Sequence, residues 1–420
     1  MQLMKHQKEA LNRTKNFSRC AYYHDMGLGK TFTGSQKAEE INNPVTLLIC
    51  QKSKVKDWFS HYRDNHLVGN VLYDLTDPKQ YQDFLSFDSP LFNRIGIINY
   101  DLLIRRPDLK KLKDFTLMLD ESQAIQNETA KRTKYILKMK PSAVILLSGT
   151  PISGKYEQLY AQVKLLGWNI SKGEFWKRYI NYREWVPVDG MFPIKIVTGY
   201  KNVDDLKANL REHGADFLKT EEVLTLPEQV FQTIAVKRPK EYKQFMKDKI
   251  VTVEGLQIIG DTVFNHLLSV RKLCGMYSPE KFQAFKDILD STNDRVVVFY
   301  NFCEELRRLK ELIKDRPSYE VNGEKNEVDK FNQNDNAVLL VQYQAGSSGL
   351  NLQKANRIVY FTPPLSVALF EQSKKRIHRI GQKQTCFYYF LVCEDTKEED
   401  IYNTLALGKD YNEALFEHDR

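Results

Sequence analysis

Short apolar runs recur along this chain, each followed by a polar stretch with helical spacing. The first series is Arg19–Tyr23, Val45–Cys50, Val71–Leu75, Ile95–Asn99, Thr116–Leu119 and Ala143–Leu147. The second is Val230–Val236, Arg295–Tyr300, Ser318–Val321, Val338–Gln342, Arg357–Phe361 and Phe387–Val392. A strand that is apolar at successive positions must be covered on both faces. Strands of that kind alternating with helices build parallel sheets, because each parallel crossover needs a helix-length connection. The fold class expected is therefore α/β, with two lobes of parallel sheet. Between the two series lies a different stretch, rich in aromatics and charge (GEFWKRYINYREW) and then helical (VDDLKANLREHGADFLK). The organisation expected is a first lobe over residues 1–165, a mostly helical connector and lobe-1 extension over 166–226, and a second lobe over 227–420.

Composition removes several classes. Hydrophobic residues at 42% and charged residues at 28% are ordinary for a globular chain. No apolar run approaches the ~18 residues of a membrane span. The first residues, MQLMKHQKEALNRTKNF, contain no apolar core of a secretory signal. The six Cys include no C-x-x-C pair, which argues against a zinc ribbon or a disulfide framework and for a reducing compartment. The net charge of +8 permits nucleic-acid binding without establishing it.

The most informative short segment is Asp25–Thr31, DMGLGKT. It follows a strand candidate and opens a helical stretch, the context a phosphate-binding loop requires. Gly27 and Gly29 let successive backbone N–H groups face a phosphate. The helix N-terminus adds positive potential. Lys30 would meet the β- and γ-phosphates, and the Thr31 hydroxyl would ligate Mg²⁺. His24 stands where the plain G-x-x-x-x-G-K-[ST] pattern has its first Gly. Downstream, the strand Thr116–Leu119 ends in Asp120-Glu121. Asp120 would hold Mg²⁺ through its water shell, and Glu121 would orient and deprotonate an attacking water. A third strand end, Ser148-Gly149-Thr150-Pro151, offers small hydroxyl groups that could sense phosphate or meet a neighbouring lobe.

Taken in order, DMGLGKT, DESQ, LLSGTPI and the distant QSKKRIHRIGQ resemble the superfamily-2 helicase-like motors of the Swi/Snf branch. The resemblance runs from Leu3 to about Leu407. LMKHQKEAL resembles the adenine-reading Q motif, LLICQKSKVKDW motif Ia with Trp58 in place, and INYDLL motif Ib. LTLPEQ and VRKLCG resemble the inter-lobe stretch, VVVFYNFCEEL motif IV, VLLVQYQAGSSGLNL motif V and RIVYFTPPLS the strand after it. The IHRIGQ of motif VI is the most specific piece.

The resemblance implies two RecA-like lobes with ATP in the cleft between them, DNA-stimulated hydrolysis, and translocation on duplex DNA. Lys30 and Thr31 match the Walker A pair, and Asp120 and Glu121 the Walker B pair. Gln7 matches the adenine contact. Arg376 and Arg379 match the motif VI arginines that reach the γ-phosphate from the second lobe, and Gln372 that motif's leading Gln. Gly349 and Asn351 match motif V positions near the nucleotide. Three residues apart, Arg376 and Arg379 would share one helix face; the same basic run also reads as a solvated helix. His378 reads as a packing or hydrogen-bonding residue.

Expected DNA contacts are Lys52, Ser53, Tyr100, Gly346 and Ser347, with backbone N–H groups and hydroxyls on phosphates, hence sequence-independent binding that weakens with salt. Phe175, Trp176, Tyr179, Tyr182 and Trp185 read either as a base-stacking stripe or as packing, and Trp58 as a motif residue or as core. Several positions depart from the family pattern: His24 and Asp25 replace an acidic pair, Ser347 and Ser348 replace Gly and a bulkier residue, and Thr362 replaces Asp. SYEVNGEKNEVDKFN is short and lacks the usual Arg. The reading is a compact double-stranded-DNA translocase using ATP and Mg²⁺, cytoplasmic in a bacterial or phage-infected cell and acting without a membrane. The sequence does not indicate protein partners. The alternatives are a strand-separating or strand-annealing helicase, and a nucleotide-gated DNA clamp without turnover.

Overall fold

The computed structural model describes residues 2–149, 151, 155–185, 194–260, 262–346 and 350–408. The chain divides into two compact units, Met1–Leu224 and Thr225–Arg420.

In the first unit, β1 (Arg19–His24), β2 (Val45–Cys50), β3 (Asn70–Asp74), β4 (Asn93–Asn99), β5 (Phe115–Asp120) and β6 (Ala143–Ser148) fall on the six apolar runs of the first series. They lie in one sheet, ordered β3-β4-β2-β5-β6-β1 and continued by a further strand at the β1 edge, and all its neighbours are parallel. Alternate residues serve opposite faces. Leu47, Leu117 and Val144, side by side in register, belong to one apolar core; Leu48, Met118 and Ile145, one residue on, belong to another. Both faces are therefore dry, and this is why β5 runs Leu117-Met118-Leu119 without a polar interruption before its final Asp120.

The connector expected over 166–226 is corrected in part. It contains helices Lys172–Tyr179 and Val203–Glu212, but also an antiparallel hairpin, β7 (Ile180–Trp185) and β8 (Ile194–Tyr200), and β9 (Ala215–Leu218). β9 is the further strand beside β1, so this stretch completes the first sheet. The helical pattern into which ADFL is embedded breaks at Gly214, which has φ +85 and would place a Cβ 2.3 Å from the Arg19 carbonyl oxygen. Only glycine fits there. The aromatic stripe is packing: Phe175 and Tyr179 are 0% exposed and share the core with Trp168. The side chain of Trp185 lies outside the described residues.

In the second unit, β10 (Gln229–Val236), β13 (Val296–Tyr300), β14 (Ser318–Val321), β15 (Val338–Gln342), β16 (Arg357–Tyr360) and β17 (Cys386–Cys393) form a sheet ordered β10-β17-β16-β13-β15-β14, again wholly parallel. A small hairpin, β11 (Ile250–Val253) and β12 (Leu256–Ile259), lies outside it. The departure at Thr362 has a local reason. Glu305 is 0% exposed, and its Oε2 accepts from the backbone N–H of Asn301 (2.9 Å) and Phe302 (3.1 Å) and from the Thr362 hydroxyl (3.1 Å). Burial pushes this carboxyl up to about 7. An Asp at 362 would set a second carboxylate against it. Among the described residues no helix is long and apolar enough to cross a membrane.

A buried ion pair ties the helix Pro279–Asp290 to the helix Lys397–Ala406. Lys281 Nζ donates to both Glu398 oxygens at 2.7 and 2.5 Å, with the side chains 0% and 1% exposed. Glu398 also accepts from the Cys393 N–H at 3.1 Å. Removing one partner strands a buried charge. Glu398→Ala should cost about 3–5 kcal/mol in urea unfolding, and pairing it with Lys281→Met should restore most of that loss. Equal stability of the two variants would contradict this role for the pair.

Candidate nucleotide site

The polar residues of the first unit gather where β1, β5 and β6 end. β1 stops at His24, the chain turns through Gly27 (φ +91) and Gly29 (φ +73), and α2 (Lys30–Ile41) begins at Lys30. A Cβ on Gly29 would lie 2.3 Å from Gln7 Nε2, so both backbone angle and space demand glycine. Lys30 Nζ donates to the carbonyls of His24 (2.9 Å) and Asp25 (3.2 Å), which holds the ammonium over the turn. Thr31 follows in the first turn of α2 and is half-buried. The turn is anchored on its other side as well: Asp25 N–H donates to the Leu218 carbonyl at 2.9 Å, and Asp25 Oδ2 accepts from the Thr220 N–H at 3.1 Å.

Gln7 sits on α1 (Lys5–Arg13) and is 4% exposed. Its Nε2 donates to the carbonyls of Leu28 (3.2 Å) and Gly29 (3.3 Å), and its Oε1 accepts from Met4 N–H at 2.9 Å. His6 Nε2 donates to the same Leu28 carbonyl at 3.0 Å. Both described bonds of Gln7 Nε2 therefore go to the phosphate-loop backbone, so that the residue shapes the loop directly.

Asp120 closes β5. Its Oδ2 accepts from the indole N–H of Trp58 at 2.7 Å, and its backbone carbonyl accepts from the Tyr100 hydroxyl at 2.8 Å. Trp58 lies on α3 (Val55–Asn65) and is 2% exposed, so it is at once a core residue and a brace for the acid. Burial, then the Glu121 charge, push the Asp120 carboxyl up to about 6, against the opposing pull of the Trp58 bond and Lys30. Glu121 adopts φ +52, a left-handed backbone that a non-glycine residue takes at a cost and that recurs at functional sites. Its carboxylate accepts from Gln123 Nε2 at 2.8 Å, and Gln123 Oε1 accepts from the Ser148 hydroxyl at 2.7 Å. Gln162 Oε1 accepts from Ser122 (2.8 Å) and Tyr23 (3.0 Å), while its Nε2 donates to the Pro151 carbonyl at 2.9 Å. Gln123 stood in the quoted DESQ motif without an assigned role, and nothing in the sequence singled out Gln162.

The expected DNA residues separate. Lys52 and Ser53 are exposed on the short turn after β2. Tyr100 is corrected: it is 4% exposed with its hydroxyl committed to Asp120, so it braces the acidic pair. Gly346 is buried, and a Cβ there would meet Val341 at 2.7 Å and Phe299 at 3.0 Å. Ser347 and Gly349 lie outside the described residues.

In the second unit, the helix Val367–Lys374 ends before both motif VI arginines. The shared helix face expected for them is corrected: Arg376 and Arg379 lie in the turn that follows. Arg376 is 1% exposed. Arg379 is half-buried and donates from Nη1 to the Leu350 carbonyl at 3.3 Å, and burial lowers its guanidinium from the ordinary value. Gln382 pins the turn through Nε2 to the carbonyls of Ala355 (2.7 Å), Gln353 (3.3 Å) and Ile377 (3.3 Å). His378 Nε2 donates to the Pro227 carbonyl at 2.9 Å. Gln372 is half-buried and Asn351 exposed.

Two wholly parallel sheets, the first ending in a glycine-rich loop, a helix-opening Lys-Thr and an acidic pair, define a phosphate-loop protein of α/β class. The chain belongs to the SNF2-related family: the SNF2-related domain model matches residues 6–278 and the helicase conserved C-terminal domain model matches residues 280–381. An uncharacterized ATP-dependent helicase of Mycoplasma pneumoniae is 24% identical over 91% of this chain and 38% of its own length. A DNA repair and recombination protein RAD54-like of Danio rerio is 23% identical over 97% of this chain and 65% of its own length. The chain thus spans less than two thirds of either relative. The solved Sulfolobus solfataricus SWI2/SNF2 ATPase core in complex with dsDNA is 20% identical with a TM-score of 0.45, covering 97% of this chain and 91% of that one.

The first unit's residues suit a nucleoside triphosphate with Mg²⁺. Gly27 and Gly29 give the loop the left-handed turns that let backbone N–H groups face a phosphate, and the desolvated Asp120 would gain from a divalent cation that favours its ionised form. Gly29→Ala forces an L-residue into a left-handed turn, at about 1–2 kcal/mol, and drives its Cβ into Gln7. Titration with a fluorescent ADP should show binding weakened at least about tenfold in a variant that still melts cooperatively, some degrees lower; unaltered affinity would contradict the cradle.

Proposed function

We propose that the chain hydrolyses ATP and translocates on duplex DNA, with nucleotide held by Gly27, Gly29, Lys30 and Thr31. The observation that carries this reading is the convergence of Lys30, which opens the helix after β1, with Asp120 and Glu121 at the end of β5, two strands separated only by β6, with the Lys30 charge acting on Asp120. In the proposed cycle, Asp120 and Thr31 would hold Mg²⁺, which would supply neutralisation of phosphate charge. Glu121, steadied by Gln123 and Ser148, orients the attacking water and takes its proton. Arg379, with Arg376 beside it in sequence, supplies from the second unit the cation that the first unit lacks for the γ-phosphate. Such a group is worth roughly 10³–10⁵ in rate. Bound DNA favours the arrangement in which that arginine is in place, so stimulation is a population shift.

Family membership and the names of the relatives support ATP and DNA as substrates. The exposed Lys52 and Ser53 suit phosphate contacts that ignore base sequence. Strand separation is the second reading, resting on the helicase name of the Mycoplasma relative; a forked duplex tests it, because a translocase without strand separation leaves the fork paired. The clamp reading is disfavoured by the complete Asp120-Glu121 pair.

Two substitutions test the assignment. Glu121→Gln should lower steady-state phosphate release by roughly 10²–10⁴ while ATP stays bound in a filter assay; normal turnover would refute the base. Arg379→Ala should cut DNA-stimulated turnover by roughly 10³ or more with nucleotide affinity held within severalfold. Loss of binding alone would contradict its proposed place.

A further inference from the structure

We propose that Asp216 is a positioning residue for the nucleotide loop, acting through His24 and Arg13. The proposal rests on the ATPase reading above and concerns how this chain builds that site where its sequence departs from the family pattern at position 24. Asp216 lies on β9, paired beside β1 with Tyr22 opposite Asp216. Its Oδ1 accepts from Arg13 Nε at 2.6 Å, and its Oδ2 accepts from Arg13 Nη2 at 2.9 Å and from His24 Nε2 at 2.7 Å. The carboxylate is 7% exposed and the His24 side chain 0%.

These two partners are the ends of the elements that shape the site. Arg13 is the last residue of α1, the helix whose Gln7 donates to the loop carbonyls of Leu28 and Gly29. His24 is the last residue of β1, and its carbonyl accepts from Lys30 Nζ. One carboxylate, 203 residues from Arg13 and 192 from His24 in the chain, therefore fixes the Gln7 helix and the first residue of the loop against each other. The same edge holds the next residue too, through Asp25 N–H to Leu218 and Thr220 N–H to Asp25.

Protein donors satisfy both oxygens of the Asp216 carboxylate. The Arg13 fork supplies the counter-charge that lets a buried carboxylate stay ionised, and bidentate geometry fixes its plane. His24 then serves as a neutral N–H donor. Its Nδ1 has no hydrogen-bond partner among the described residues, so a second ring proton would be a buried, unsatisfied N–H. The tautomer is thereby set as Nε2–H. The family pattern carries acid at position 24; here the acid comes from the neighbouring strand and reaches the same turn through an imidazole.

A residue that only stabilised the fold would change melting behaviour without separating nucleotide binding from turnover. The test measures fluorescent ADP binding, KM for ATP, kcat with duplex DNA, and thermal melting, all on the full chain. Asp216→Asn and His24→Leu should each weaken nucleotide binding and raise KM roughly tenfold, the scale of one bond to a charged group, with kcat within severalfold. His24→Gln, whose amide can donate where Nε2–H does, should bind within about threefold of the parent chain. The double variant His24→Leu/Asp216→Asn should be no weaker than Asp216→Asn alone, because both remove one linkage. If Asp216→Asn does not fold, the contrast between His24→Leu and His24→Gln decides. Folded variants with parental KM, or His24→Gln as impaired as His24→Leu, would overturn the inference. A parent chain that binds no nucleotide would bring down the ATPase reading and this inference together.

Discussion

A parallel sheet covered on both faces leaves nowhere for polar chemistry except the ends of its strands. That constraint organises the first unit. Its central strands are covered on both faces, and His24, Asp120 and Ser148 are the last residues of β1, β5 and β6. All three ends point the same way because every pairing is parallel. A loop, an acidic pair and a hydroxyl thus meet without any chain segment entering the core.

The acids of the molecule show how environment separates structural from chemical roles. Glu398 is fully buried and matched by Lys281, a cation that holds it in one geometry. Burial raises the Asp216 carboxyl, but the bonds from His24 and Arg13 outweigh it and hold the group below the ordinary carboxylate value, so it stays an ionised anchor. Asp120 instead receives a single neutral indole N–H against the cost of desolvation and a neighbouring Glu121. It is left electrostatically under-compensated beside a second carboxylate, a situation that a divalent cation would relieve.

Much of this was legible in the sequence, and the limits have physical causes. Strands such as Val45–Cys50 and Val338–Gln342 were readable because continuous apolar runs admit few other structures. β9 was not, because ADFL is four residues long and continues a helical pattern that only Gly214 interrupts. DMGLGKT and Asp120-Glu121 announce their chemistry by residue type and order. Trp58 and Tyr100 do not: whether an aromatic residue braces an acid or meets DNA depends on which way it faces. The motif VI arginines were placed on a helix by their spacing, yet the helix stops at Lys374 and the turn beyond is held by Gln382. The bond from Asp216 to His24 spans 192 residues, and local pattern carries no information at that range.

The central claim is that the strand-end site turns over ATP in response to duplex DNA. The most direct measurement is phosphate release by the full chain, run in parallel with linear duplex DNA of unrelated sequences, single-stranded DNA and RNA. The account predicts that any duplex raises the rate well above the DNA-free value and that the response fades as salt rises. A rate indifferent to duplex, or one raised by RNA alone, would contradict it.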